Sequence, residues 1–214
     1  MHLGWNEIYF LLQGLKWTVL LAIISFIGGG AFGLLVAMVR TSDSKPLRMM
    51  TAAYIGVFQG TPLLMQLFVI YYGFALFNFN VDAWAAVAAA FSLHASAFLG
   101  DIWRGSIEAL PKGQREAASA LGLHYVSRMK DVILPQALRI SLPATIGFLV
   151  QLIKGTSLAA IVGFIELTRA GQIVANQTYQ PILVYAVIGA IYFVLCWPLS
   201  LYGSSLENKF AAAR

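Results

Sequence analysis

The chain has 214 residues, 59% of them hydrophobic and 11% charged, and its mean hydropathy is +0.76. A soluble domain runs nearer half apolar and a quarter charged, so this chain holds more apolar surface than one core can hide, which argues against a soluble globular enzyme. The net charge of +5 comes from basic residues clustered between apolar runs, a topology signal and not a nucleic-acid surface, and the single Cys196 offers neither a disulfide nor a soft metal site.

In chain order, residues 1–14 carry no Lys or Arg and no cleavage signal, so they read as a retained, weakly amphipathic segment on the outer interface, with Trp5 and Tyr9 as its anchors. A helix crosses the hydrocarbon with about 20 mostly apolar residues. Five stretches qualify: Leu15 to Val39, Thr51 to Leu76, Trp84 to Trp103, Leu142 to Phe164 and Ile182 to Tyr202. They are too continuous for the alternation of a β-barrel.

The first stretch holds Gly28, Gly29, Gly30 and Gly33, a small-residue face for close helix packing. In the second, Pro62 frees a backbone carbonyl and bends the helix, and Gln59, Thr61 and Gln66 either line a path or act as packing glue. Ser92, His94 and Ser96 in the third carry the same two readings, with less weight on a path. Asp101 and Arg104, three apart, share a face and can pair with each other or with lipid headgroups.

Residues 107–135 are too polar to span and too regular for a linker. A short helix is expected over Gln114 to Leu121, with Ala117, Ala118 and Ala120 on view and Gly122 in the left-handed position at its end. A second helix starts near Tyr125 and stops before Pro135. The connections Phe77 to Ala83 and Ile165 to Pro181 read as short outer loops, and residues 208–214 as a tail.

Arg40, Lys45, Arg48, Arg104, Lys112, Arg115, Arg128, Lys130, Arg139, Lys209 and Arg214 then fall on one side of the membrane, against Lys16 and Arg169 near the other. The positive-inside rule makes the first set cytoplasmic, with the C-terminus inside and the N-terminus outside. The odd span count disfavours paired inverted halves, and such a chain is expected to dimerise to build a pathway.

Glu116-Ala117-Ala118, then Gly122, then Val132, Leu134 and Pro135 resemble in register the EAA loop of ABC-importer permeases. The likeness extends over nearly the whole chain toward the polar amino acid branch, with the runs QGTPLLMQLFVIYYG and LIKGTSLAAIVGFIELTRAGQIV among those that carry it. It departs from the branch at Gln59, commonly Arg, and at Gly155, commonly Asp.

The resemblance implies an all-α integral membrane domain of five spans over residues 15–207, with a cytoplasmic coupling helix between the third and fourth, in the bacterial inner membrane. It also implies a pair of ATPase subunits, a second permease copy or sister, a periplasmic or lipid-anchored binding protein, and an amino acid substrate. Arg115, Glu116, Ala117, Ala118, Leu121 and Gly122 are the expected coupling residues, with Glu116 first among them.

The chain lacks a phosphate-cradling G-x-x-x-x-G-K-[ST] loop, so no cofactor and no catalytic residue are expected, and ATP with Mg belongs to the partner ATPase. Lys154 lies inside an apolar span and is a functional candidate for that reason. With Thr156 and Ser157 it either holds a substrate carboxylate or forms an intersubunit pair with Asp101 or Glu166. The alternative function is a gradient-driven secondary transporter; an embedded enzyme is disfavoured because the three histidines are scattered.

Overall fold

The structure is a computed structural model that describes residues 3–76 and 82–211. Its long elements are α1 Trp5–Arg40, the bent pair α2 Lys45–Gly60 and α3 Leu63–Leu76, α4 Ala83–Glu108, α7 Leu134–Gly155 and α9 Pro181–Ala211. Between α4 and α7 lie α5 Lys112–Ala120, the single turn α6 Tyr125–Ser127 and a π-helical stretch Arg128–Ile133. A 3₁₀ stretch Thr156–Val162 and the short helix α8 Leu167–Thr178 separate α7 from α9. Among the described residues four helices are long and apolar enough to cross a membrane, and the α2–α3 pair makes a fifth, broken span with a bend of 104°.

The central element is α4. Its alanines Ala86, Ala90, Ala95 and Ala97 are fully buried and let neighbours come close, while Phe91 and Leu99 fill the core with Leu21, Leu67, Phe148 and Leu152. The glycine face of α1 lies against it. A Cβ on Gly29 would fall 2.3 Å from Ala95 Cβ, and one on Gly33 would fall 3.1 Å from Ser96 O, so only glycine permits this approach. The opposite faces of α1 and α9, with Ile27, Phe32, Val194 and Trp197 exposed, are apolar surface for lipid.

The structure departs from the sequence reading in four places. The N-terminal segment is no separate element, because α1 begins at Trp5 and runs unbroken through the first span. The chain from Tyr125 does not stop before Pro135: it passes through the π turn and continues as α7. A proline ring clashes with the carbonyl four residues back in a regular α-helix, and the wider π winding just before Pro135 accommodates it.

The connection Ile165 to Pro181 is largely helix. In α8 the residues Leu167, Ala170, Gly171, Val174 and Ala175 recur at helical spacing and are buried against α1 and α9. Glu166 caps it, accepting from the backbone N–H groups of Thr168 at 2.9 Å and Arg169 at 2.8 Å. The fourth departure is at Ala118, which is turned inward and 3% exposed. The connection expected at Phe77 to Ala83 falls mostly on residues 77–81, outside the described residues, as does Arg214.

Candidate functional site: a docking face and an intramembrane cavity

The short helix α5 offers one clean face. Gly113, Glu116, Ala117, Ala120 and Leu121 recur at i, i+3, i+4, i+7 and i+8, and all are exposed, Leu121 to 81%. Among the described residues Glu116 has no hydrogen-bond or ion-pair partner.

The other face holds the helix to the bundle. Arg115 donates to Ile107 O at 3.0 Å, Ala118 is buried, Arg128 donates to Ser119 Oγ at 2.6 Å, and Gln136 donates to Gln114 Oε1 at 3.2 Å. Of the six residues expected to couple, Arg115 and Ala118 therefore seat the helix, because about 100° per residue places them opposite Glu116 and Ala117. Gly122 has φ +74°, and the N–H groups of Gly122 and Leu123 close on Ser119 O and Ala118 O, so the left-handed end expected at this glycine is present.

The break between α2 and α3 is built around Gln66. Pro62 has no N–H for the carbonyl of Phe58, four residues back, and the Gln66 side chain supplies the missing donor: Nε2 lies 2.8 Å from Phe58 O. The same nitrogen donates to Thr61 O and Thr61 Oγ1, both at 3.0 Å. Its Oε1 lies 2.9 Å from His94 Nδ1. Since the amide nitrogen is committed to acceptors, the amide oxygen faces the imidazole, so His94 Nδ1 carries the proton and Nε2 the lone pair. Gln66 is thus buried and bracketing the bend. Thr61 is exposed and bonded to Val57 O, and Gln59 donates to Asp101 Oδ2 at 3.2 Å.

An open cavity of about 460 Å³ lies between α3, α4, α7 and the 3₁₀ stretch, lined by Leu63, His94, Phe148, Gln151, Lys154, Gly155, Ser157 and their neighbours. Lys154 and Ser157 thus lie where a polar step was expected. Thr156 does not: it is fully buried and donates to Ile153 O at 2.7 Å. The winding tightens to 3₁₀ at this residue, so the face expected from a continuous α-helix is lost.

Neither carboxylate considered as a partner for Lys154 meets it within the chain. Asp101 is bound by the Arg104 guanidinium at 2.8 Å, which also pairs with Glu108. Glu166 is fully buried and accepts from Tyr192 Oη at 3.0 Å and Thr18 Oγ1 at 3.4 Å besides its two backbone donors. Burial raises the Glu166 carboxyl above its ordinary range, and these hydrogen bonds oppose the shift.

Sequence reasoning undervalued His94 and missed Gln151 and Phe148. A signal for the latter was present, since Phe148, Gln151, Gly155 and Leu158 keep the i, i+3, i+7 spacing of the helix face that carries Lys154.

Four spans around an alanine-rich central one, a largely apolar cavity that carries Lys154 and a short helix held out on one face define a helical membrane transport domain. Comparison with known proteins gives the same class. Residues 29–210 match the family described as binding-protein-dependent transport system inner membrane component. The chain is 39% identical over 197 residues to an L-cystine transport system permease of Bacillus subtilis, covering 92% of this chain and 84% of that one. It is 34% identical over 204 residues to an arginine transport system permease of the same organism, covering 95% and 93%.

A crystal structure of an amino acid ABC transporter with histidines superposes with a TM-score of 0.85 at 33% identity, over 98% of this chain and 100% of that one. The MetNI methionine ABC transporter in an inward-facing conformation shares the fold, with a TM-score of 0.80 over 97% and 99% at 19% identity. The chain belongs to the binding-protein-dependent transport inner membrane component family and is an amino acid ABC transporter permease subunit, a multi-pass protein of the inner membrane.

Proposed function

We propose that the chain is the translocating subunit of an ATP-driven importer that takes an amino acid from an extracytoplasmic binding protein and releases it in the cytoplasm. The observation that carries this reading is the outward face of α5, where the side chains of Glu116, Ala117, Ala120 and Leu121 are exposed and have no partner among the described residues. Small side chains allow close approach, Leu121 supplies an apolar anchor, and Glu116 supplies a charge that fixes register.

Its occupant is the ATPase subunit, present as a pair beneath two permease copies or one copy and a sister chain. ATP and Mg bind there, and this chain hydrolyses nothing. The basic residues on the α5 side orient it to the cytoplasm, with the N-terminus outside and the C-terminus inside.

In this reading a loaded binding protein, periplasmic or lipid-anchored, docks outside. ATP binding draws the α5 helices together, and the rod from Tyr125 to Val162 carries that motion to Lys154 and the cavity. Amino acid cargo is supported by the relatives, one a permease for L-cystine and another for arginine. Lys154 and Ser157 line the pathway, Gln66 braces the bend in the second span beside it, Thr156 is packed in the core, and Gln59 and Thr61 lie outside the cavity lining.

The test is copurification from native membranes in mild detergent, wild type against Glu116→Arg. A P-loop ATPase that accompanies the wild type and is lost from the variant supports the reading. Its absence from both would make a gradient-driven transporter the better description.

A further inference from the structure

We infer that the intramembrane cavity selects amino acids whose side chains carry no positive charge. The inference rests on the proposed import of amino acids and adds the substrate class. The cavity volume, about 460 Å³, is in the range of about 300–1,000 Å³ usual for small-molecule sites. Among the described residues that line it, Lys154 is the one Lys, Arg, Asp or Glu, and Gln151, Ser157 and His94 supply the other polar groups.

In its neutral form His94 has one tautomer open to it. Its Nδ1–H is spent on Gln66 Oε1, which leaves Nε2 as an acceptor. The remaining wall is apolar, with Leu63, Phe148 and Leu158. Among the described residues of this chain, no carboxylate lines the space. Asp101 is bound to Arg104 and Gln59, and Glu166 is sealed among Thr18, Tyr192 and the start of α8.

A zwitterionic amino acid fits this pattern. Its carboxylate forms a charge-assisted hydrogen bond with the Lys154 ammonium, and its α-ammonium finds neutral acceptors. A second cation on the side chain would enter a space where this chain sets a lysine and no carboxylate, and like charges placed side by side disfavour binding. An uncharged or acidic side chain meets no such penalty.

The backbone also offers a way to reverse the preference. Gly155 lines the cavity beside Lys154 in helical conformation, and a Cβ placed there would meet Leu63 Cδ2 at 3.4 Å and Phe91 Cε1 at 3.8 Å, ordinary contact distances. A side chain can therefore start at this position without displacing its neighbours, and aspartate is the substitution that would add a negative charge beside Lys154.

The experiment is calorimetric titration of the purified permease–ATPase complex in nanodiscs, without binding protein, with each of the proteinogenic L-amino acids and L-cystine. In the wild type, L-arginine and L-lysine should bind at least tenfold more weakly than the best non-cationic amino acid. Gly155→Asp should close that gap at least tenfold. Lys154→Gln should weaken the non-cationic ligands about tenfold, and Lys154→Arg should restore them.

Arginine or lysine binding within threefold of the best ligand in the wild type would overturn the inference, as would a Gly155→Asp complex that binds amino acids with the ratio unchanged. A complex that retains its ATPase and binds no amino acid would instead remove the amino acid import reading, and this inference with it.

Discussion

Replacing Gln66 with leucine tests whether one side chain holds the bend in the second span. The change preserves approximate volume but strands two groups that have little access to other partners, the carbonyl of Phe58 and Nδ1–H of His94, now held at 2.8 and 2.9 Å. The Thr61 carbonyl and hydroxyl lie on an exposed residue and can find water, so they add little. Stranded buried polar groups cost about 1–3 kcal/mol each, and hydrogen bonds inside membrane bundles fall near the low end, so the loss is about 2–4 kcal/mol.

For a chain of this size each kcal/mol moves the melting temperature by about 2–4 °C, so the complex should melt roughly 5–15 °C lower. The decisive comparison is the same substitution made on a Pro62→Ala background. Alanine returns an N–H at position 62 that reaches Phe58 O once Thr61, extended in the bend, goes over to helix, so Gln66 becomes partly redundant in that straighter form and its removal should cost about 1 kcal/mol less. Thermal unfolding of the four complexes, followed by tryptophan fluorescence in nanodiscs, measures both numbers. A Gln66→Leu complex that melts within about 1 °C of wild type, or an equal loss in both backgrounds, would refute the idea that the glutamine substitutes for the proline's missing donor.

Three further outcomes follow from the geometry. Gly29→Val should separate α1 from α4 and destabilise by about 1–3 kcal/mol or more, since its Cβ would fall 2.3 Å from Ala95 Cβ, and Ala95→Gly should recover part of the loss in the same melting assay. Leu121→Asp should leave the melting temperature of the permease within about 1 °C, because the side chain is 81% exposed, yet abolish transport-coupled ATPase activity in proteoliposomes. Glu166 has a folded-state affinity for protons above its ordinary value of 4.5, so the folded chain binds more protons than the unfolded one just above that pH, and stability falls as pH rises through that window. Glu166→Gln should flatten this slope when melting temperatures at pH 5 and pH 7.5 are compared.

The large features were legible because they depend on local pattern. Apolar runs longer than a bilayer is thick fixed the spans, and Gly122 after an alanine-rich stretch marked the end of α5 through a backbone angle that few other residues adopt. The pairing of Asp101 with Arg104 was equally local.

What escaped depended on distance or on a change of winding. Gln66 stayed open between a path and packing glue because its partners, Phe58, Thr61 and His94, converge only once the helix has folded back on itself. Thr156 looked aligned with Lys154 until the 3₁₀ turn rotated it into the core. Helix α8 hid in a segment too short and too mixed to span, although its five buried positions keep helical spacing. Pro135 read as a terminator because a π turn leaves no mark in composition.

In the proposed transport cycle the uninterrupted run from Tyr125 to Val162 would serve as a lever. Tyr125 sits beside the docking helix and Lys154 lies 29 residues further on, roughly 40 Å at about 1.5 Å per residue. Over that arm a tilt of only about 5° at the foot sweeps the head through about 4 Å, more than the length of a hydrogen bond. A rod of this kind transmits angle and needs no relay of side chains, so the contacts made and lost at the cavity are set by the geometry of the pivot. The π turn at Arg128–Ile133, close to the foot, is where the pitch of that rod can be trimmed.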